Sequence, residues 1–376
     1  AGGDRLATAD TNNVARIWTL PGPVLTTGPG SVFAVSFSPG GTSGVLAVGS
    51  APPDGRGQVQ LWNVADPSRP MALGGPLTAA DALDGTVAYG AGGRLAAGSA
   101  DGAVQLWNAQ PAARPVRLPA PPTALKTAIQ NVAFDSTGRL LAAGSTDGTV
   151  EIWDTASLGR AAPLALLADD TGAAGHDAYA VAFSPDDRLL AVANADGTVR
   201  LWDITHPTRP TQLGKPLIDL ADAVYQVTFS PDGHVLAASG EDGSVRLWDV
   251  TTPGQPRLLS TLTRSVGIVY DVMFSPDGRT IATADGDQTV TLWNIANPAA
   301  PTRLATLTGP AGTIFAAAFS PDGTTLAAGS QDATTRLWHA TPASAATYVC
   351  ATAGTPITPA EWSQYIPGLP YDPPCG

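Results

Sequence analysis

Between Val245 and Pro256 the chain reads VRLWDVTTPGQP, which sets Trp248 beside Asp249 and two residues after Arg246. An indole, a carboxylate and a guanidinium are parts of a recognition site, and equally parts of a structural turn. Other reactive groups are sparse. The four histidines, His176, His206, His234 and His339, are scattered, and none recurs at metal-ligand spacing. Neither a Gly-x-Ser-x-Gly elbow nor a Gly-x-x-x-x-Gly-Lys phosphate loop occurs. No metal, cofactor or catalytic residue is expected, and the chain reads as a non-enzyme. The two cysteines, Cys350 and Cys375, both fall in the final segment. They predict a disulfide staple in an oxidising compartment, the alternative being two free thiols in a reducing one.

Composition narrows the partners. Thirty-two acids against twenty bases give a net charge of −12, a field that repels phosphate backbones and argues against nucleic acid. No run of apolar residues is long enough to cross a membrane as a helix. With 41 glycines and 34 prolines, the chain favours many short elements joined by tight turns. It opens abruptly on AGGDRLATAD, which reads as the middle of a longer chain.

VRLW is one copy of a repeat. Related tetrapeptides end at Trp18, Trp62, Trp107, Trp153, Trp202, Trp248, Trp293 and Trp338, at steps of 44 to 49 residues. Steps of this size mark stacked supersecondary units. Each unit carries an alternating apolar run ending in a Ser-Pro-Asp-Gly turn, as in VYQVTFSPDG from Val224. A strand of small residues follows (LAASG from Leu236), then an Asp-Gly hairpin, then the Trp strand and a Pro-bracketed loop with one more strand. Four short antiparallel strands per unit predict an all-β chain whose units bury their faces by stacking in a ring. The Pro-bracketed loops (Pro67–Pro70, Pro207–Pro210, Pro253–Pro256, Pro298–Pro301) could be partner ligands, but their recurrence at one position argues for rigid connections.

These motifs resemble the WD-repeat β-propeller family over residues 1–340. The family often ties each blade with His, Ser or Thr, Asp and Trp. The resemblance assigns that role to Asp101, Asp147, Asp196, Asp242, Asp287 and Asp332, each six residues before its Trp, and to His176, Trp202 and Trp248. Eight Trp motifs favour eight blades. The alternative is seven, closed by Pro23–Thr27 joining the strands around Trp338, which leaves the Trp18 hairpin over.

Residues 341–376 form a separate tail. Thr341 and Thr358 read as helix caps, Pro342 and Pro359 as first helical residues, and Gly354 and Gly368 as stops. A stapled helical tail packed on the propeller is expected. The segment from Cys350 to Cys375 resembles the tail of WD-repeat arms in actinobacterial signalling proteins. The resemblance implies an arm tethered to an upstream STAND-type ATPase, kinase or membrane helix. A disulfide would place it outside the cytoplasm, in the cell envelope, with a cytoplasmic site as the alternative.

One pattern survives the structural explanation. Four residues before the strand-ending Phe, five units carry an aromatic: Phe33, Tyr179, Tyr225, Tyr270 and Phe315, with Gly85 and Gln130 in the others. That position opens the innermost strand at the mouth of the central channel, where aromatic rings anchor partners well. The other reading makes them inter-blade core. The sequence therefore predicts a protein-interaction or sensor scaffold, with a glycan-like small-ligand propeller and a propeller hydrolase as the alternatives.

Overall fold

The Ser-Pro-Asp-Gly turn is built from its own side chains. In Ser230–Gly233 the Ser230 hydroxyl donates to Asp232 Oδ1 at 2.5 Å. The same oxygen accepts the His234 N–H at 3.0 Å, and Ser230 Oγ accepts the Val235 N–H at 2.9 Å. Gly233 takes φ +74°, a region glycine enters without a Cβ penalty. The turns at Ser184, Ser275 and Ser320 repeat the Ser–Asp bond. At the turn after Ser184, Asp187 holds the positive-φ position at +58°. Its carboxylate accepts the Ser136 N–H at 2.8 Å and the Ser136 hydroxyl at 2.6 Å, which fastens this turn to the preceding blade.

The computed structural model describes residues 5–9, 15–19, 23–26, 28, 30–40, 44–51, 57–110, 114–157, 162–167, 177–218, 222–263 and 267–341. Seven four-stranded antiparallel blades form a propeller. The inner strands of blades 1 and 3–7 are Ser31–Phe37, Ile129–Phe134, Ala178–Phe183, Val224–Phe229, Val269–Phe274 and Ile314–Phe319. Between blades 1 and 2 the strand Leu77–Gly90 runs through: its start pairs with Val59 of blade 1 and its end with Arg94–Ala97 of blade 2. Among the described residues the helices are two short 3-10 turns, Ala91–Gly93 and Thr155–Ser157.

The favoured count of eight blades is wrong, and closure explains why. Val24–Thr26 pairs antiparallel with Thr334–Arg336 and supplies the outer strand of blade 7. Blade 7 then packs directly on blade 1, through Leu25, Val32, Leu46, Ala316 and Leu337. An eighth blade has no gap to enter. The strands flanking residues 10–14, Arg5–Ala9 and Ala15–Thr19, pair with each other as a two-stranded sheet of their own.

The core is seven seams rather than one centre. Each pair of neighbouring blades shares an apolar cluster. Trp248 of blade 5 lies in the seam with Leu201 and Val199 of blade 4, only 3% exposed. The blade tryptophan is thus a spacer against its predecessor. The seams also explain the small-residue strands. A Cβ on Gly329 would come within 2.4 Å of Val32 Cγ1, and one on Gly98 within 2.5 Å of Ile129 Cγ2. Bulk there would push neighbouring blades apart.

Cys350, Cys375 and the predicted tail helices lie outside the described residues, as does His176.

Candidate functional site

Each inner strand of blades 1 and 3–7 is irregular at one place. Val224 pairs with Gly240 and Gln226 with Ser239, so Tyr225 has no residue opposite it. The same shift isolates Tyr270, Phe315, Tyr179, Phe33 and Gln130. Each aromatic is therefore the extra residue of a β-bulge, a device that re-aims a side chain out of the sheet's alternation.

The re-aimed rings meet. Tyr179 and Tyr225 have centroids 5.2 Å apart, Tyr225 and Tyr270 5.3 Å, Tyr270 and Phe315 5.1 Å, and Phe315 and Phe33 5.0 Å. The last pair stacks across the closure of the ring, between residues 282 positions apart (33 to 315). Together they form an arc over blades 4, 5, 6, 7 and 1. Phe33 is 41% exposed and the other four rings are half-buried. None belongs to the seven inter-blade clusters. The arc edges a channel cavity of about 490 Å³ that the inner strands enclose, with Gln130 on the side that lacks a ring.

Carboxylates stand beside the rings. Glu241 opens the Asp-Gly hairpin of blade 5, and its N–H donates to the Ala223 carbonyl at 2.9 Å, two residues from Tyr225. Asp177 precedes Tyr179 by two residues, and its carbonyl accepts the Ala195 N–H at 2.9 Å. Burial, then Glu241, then the flanking tyrosines push the Tyr225 phenol up to about 12. Burial, Asp177 and Glu241 raise that of Tyr179 in the same way. Both phenols stay neutral at physiological pH.

Below the rings, polar side chains at the next position stitch blades together. Asp271 Oδ2 accepts the Ala317 N–H of blade 7 at 2.8 Å, and Asn131 Oδ1 accepts the Val181 N–H of blade 4 at 3.3 Å. Asp271 is buried, only 5% exposed. Burial lifts its pKa to about 6, against the opposing bonds from Ala317, Gln226 and Val272. Sequence reasoning missed Asp271, Asp177 and Glu241. Asp271 had a visible signal, because other units carry Ala, Thr, Asn or Gln at its position.

The six hairpin acids act locally. Asp101, Asp147, Asp196, Asp242 and Asp332 each accept the N–H two residues on, at 2.9–3.0 Å, and Asp287 accepts the Thr289 hydroxyl at 2.7 Å. Asp196 and Asp242 also pair with Arg200 at 2.9 Å and Arg246 at 2.8 Å. Asp332 reaches the Ala311 N–H at 2.7 Å. Burial opposes the charge at Asp242, but the bonds from Ser244 and Arg246 outweigh it and hold the carboxyl below its usual range. Trp202 is half-buried in the seam of blades 3 and 4. The Trp153 indole N–H donates to the Pro122 carbonyl at 2.9 Å. Asp249 of the VRLWD stretch accepts from the Thr251 N–H at 3.0 Å, the work of a turn residue. Among the described residues no group of three or more His, Cys, Asp or Glu is placed to hold a metal. No described helix is long and apolar enough to cross a membrane.

The family described as WD domain, G-beta repeat matches residues 122–154, 171–203, 214–249, 256–294 and 301–339. The chain carries five WD40 repeats within its propeller. Its five recognised repeats end in the Trp strands of blades 3 to 7, and blades 1 and 2 complete the ring with more divergent sequence. No curated protein matches the chain. Among solved structures, a chain in the crystal structure of the mitotic checkpoint complex superposes with a TM-score of 0.69 at 20% identity. The superposition covers 85% of this WD40 propeller and 95% of that chain, a likeness of fold.

Proposed function

We propose that this WD40 propeller is a non-catalytic docking scaffold for a protein partner, with the aromatic arc at the channel mouth as its contact face. WD40 propellers are typically interaction scaffolds. The observation that carries the reading is the continuous arc of five partly exposed rings, each set on a bulge of a rigid inner strand. Rings held in place before binding lose little freedom on contact, so their burial goes into affinity. Truncating an aromatic anchor of this kind costs on the order of 2 kcal/mol, roughly thirtyfold in Kd.

The propeller serves as the recognition arm of a larger bacterial signalling protein, outside the cytoplasm. The tail resemblance supports the first part and the Cys350–Cys375 pair the second.

The test compares the wild-type chain with a Tyr225→Ala/Tyr270→Ala chain. A partner captured by the first should be lost by the second, with melting temperatures nearly equal. Retained capture, or a melting temperature lowered by many degrees, would mean that the rings are structural.

A further inference from the structure

We infer that the mouth takes a cationic peptide segment of the partner, anchored by an arginine whose guanidinium lies on the tyrosine faces beside Glu241 and Asp177. This rests on the docking reading and names the chemistry of the partner. Three half-buried tyrosines on consecutive blades form a run of tilted rings with centroids 5.2 and 5.3 Å apart. The two carboxylates sit on the same sector of the rim, each within two residues of the strand that carries a ring, by the backbone bonds of Glu241 to Ala223 and Ala195 to Asp177. Glu241 is exposed and Asp177 half-buried, and neither is in an ion pair among the described residues.

A sector that offers ring faces and unpaired carboxylates attracts positive charge twice, through the ring quadrupole and through Coulomb attraction. Glu241 acts on both phenols and Asp177 on that of Tyr179, which locates the negative field at the rings. The net charge of −12 extends the field outward and steers basic partners in. Arginine suits the site better than lysine, because its planar fork stacks on an aromatic face while it donates in parallel to a carboxylate. The cavity of about 490 Å³ below the arc leaves room for such a side chain. An acidic or phosphorylated segment meets repulsion at the same place.

The test is selection of random twelve-residue peptides displayed on phage against the full chain. Binders to the Tyr225→Ala/Tyr270→Ala chain are removed first. The expected pool carries arginine at one recurrent position. A synthetic copy of its commonest peptide should bind roughly tenfold more weakly when that arginine becomes citrulline, its neutral isostere. Glu241→Gln should weaken the arginine peptide severalfold without moving the melting temperature. Equal binding of the citrulline or lysine peptide overturns the inference. A tyrosine-dependent pool without arginine overturns it and leaves the docking reading standing. No pool left after that subtraction overturns both.

Discussion

Asp271 should make the propeller less stable as pH rises from about 4 to 6. Its carboxyl is enclosed between blades 5, 6 and 7 and titrates near 6 in the folded chain, against 3.8 in the reference state. Between those values the folded chain binds a proton that the unfolded chain has released. Stability therefore falls as pH rises through the window and levels off above it. A difference of about two units corresponds to roughly 3 kcal/mol, and full enclosure leaves little solvent screening to reduce it. Asp271→Asn removes the titration while keeping an oxygen for the Ala317 N–H. The new amide leaves donors to satisfy, at a cost of about 1–3 kcal/mol that does not vary with pH. The informative quantity is the difference between variant and wild type, measured by urea unfolding from pH 4 to 7.5. It should shift by about 3 kcal/mol in the variant's favour across the window. Buried Glu151, raised by desolvation, and His339, lowered by it, titrate alike in both chains and cancel. Asp101, Asp147, Asp196, Asp242 and Asp332 are held below 3.8 and act in a lower window, where stability is lost as pH falls. Parallel curves for the two chains would refute the buried, charge-intolerant placement of Asp271.

Trp248→Ala should cost about 3–5 kcal/mol in the same assay, because it empties the seam between blades 4 and 5. A loss below 1 kcal/mol would return Trp248 to the candidate binding residues. Gly329→Val should destabilise by about 1–3 kcal/mol by driving a side chain into Val32 at the closure of the ring. Hydrogen exchange should then quicken first in Val24–Thr26 and its partner Thr334–Arg336, and uniform quickening would contradict the closure. Thiol titration of the unfolded, unreduced chain should find no free thiol at Cys350 and Cys375. Two reactive thiols would remove both the staple and the proposed location outside the cytoplasm.

The sequence by itself determined the unit. Its period, its four strands and the Asp-Gly and Ser-Pro-Asp-Gly turns are local, written in alternation and turn chemistry within each 45-residue stretch. The five aromatic positions were legible for the same reason, because a column of one residue type stands out once units are aligned. Tertiary structure decided what depends on distant segments. Blade number turns on Val24–Thr26 finding Thr334–Arg336, a pairing across about 310 residues that the sequence offers only as an alternative to eight blades. Whether Tyr225 is seam or surface turns on a one-residue bulge. In strict alternation it shares a face with Val227 and Phe229, and the extra residue shifts it out of phase. Asp271 follows a tyrosine on an inner strand, and nothing in its own strand marks it as buried. Only the approach of blade 7 encloses it, because a carboxylate's burial is set by its neighbours and not by its own strand.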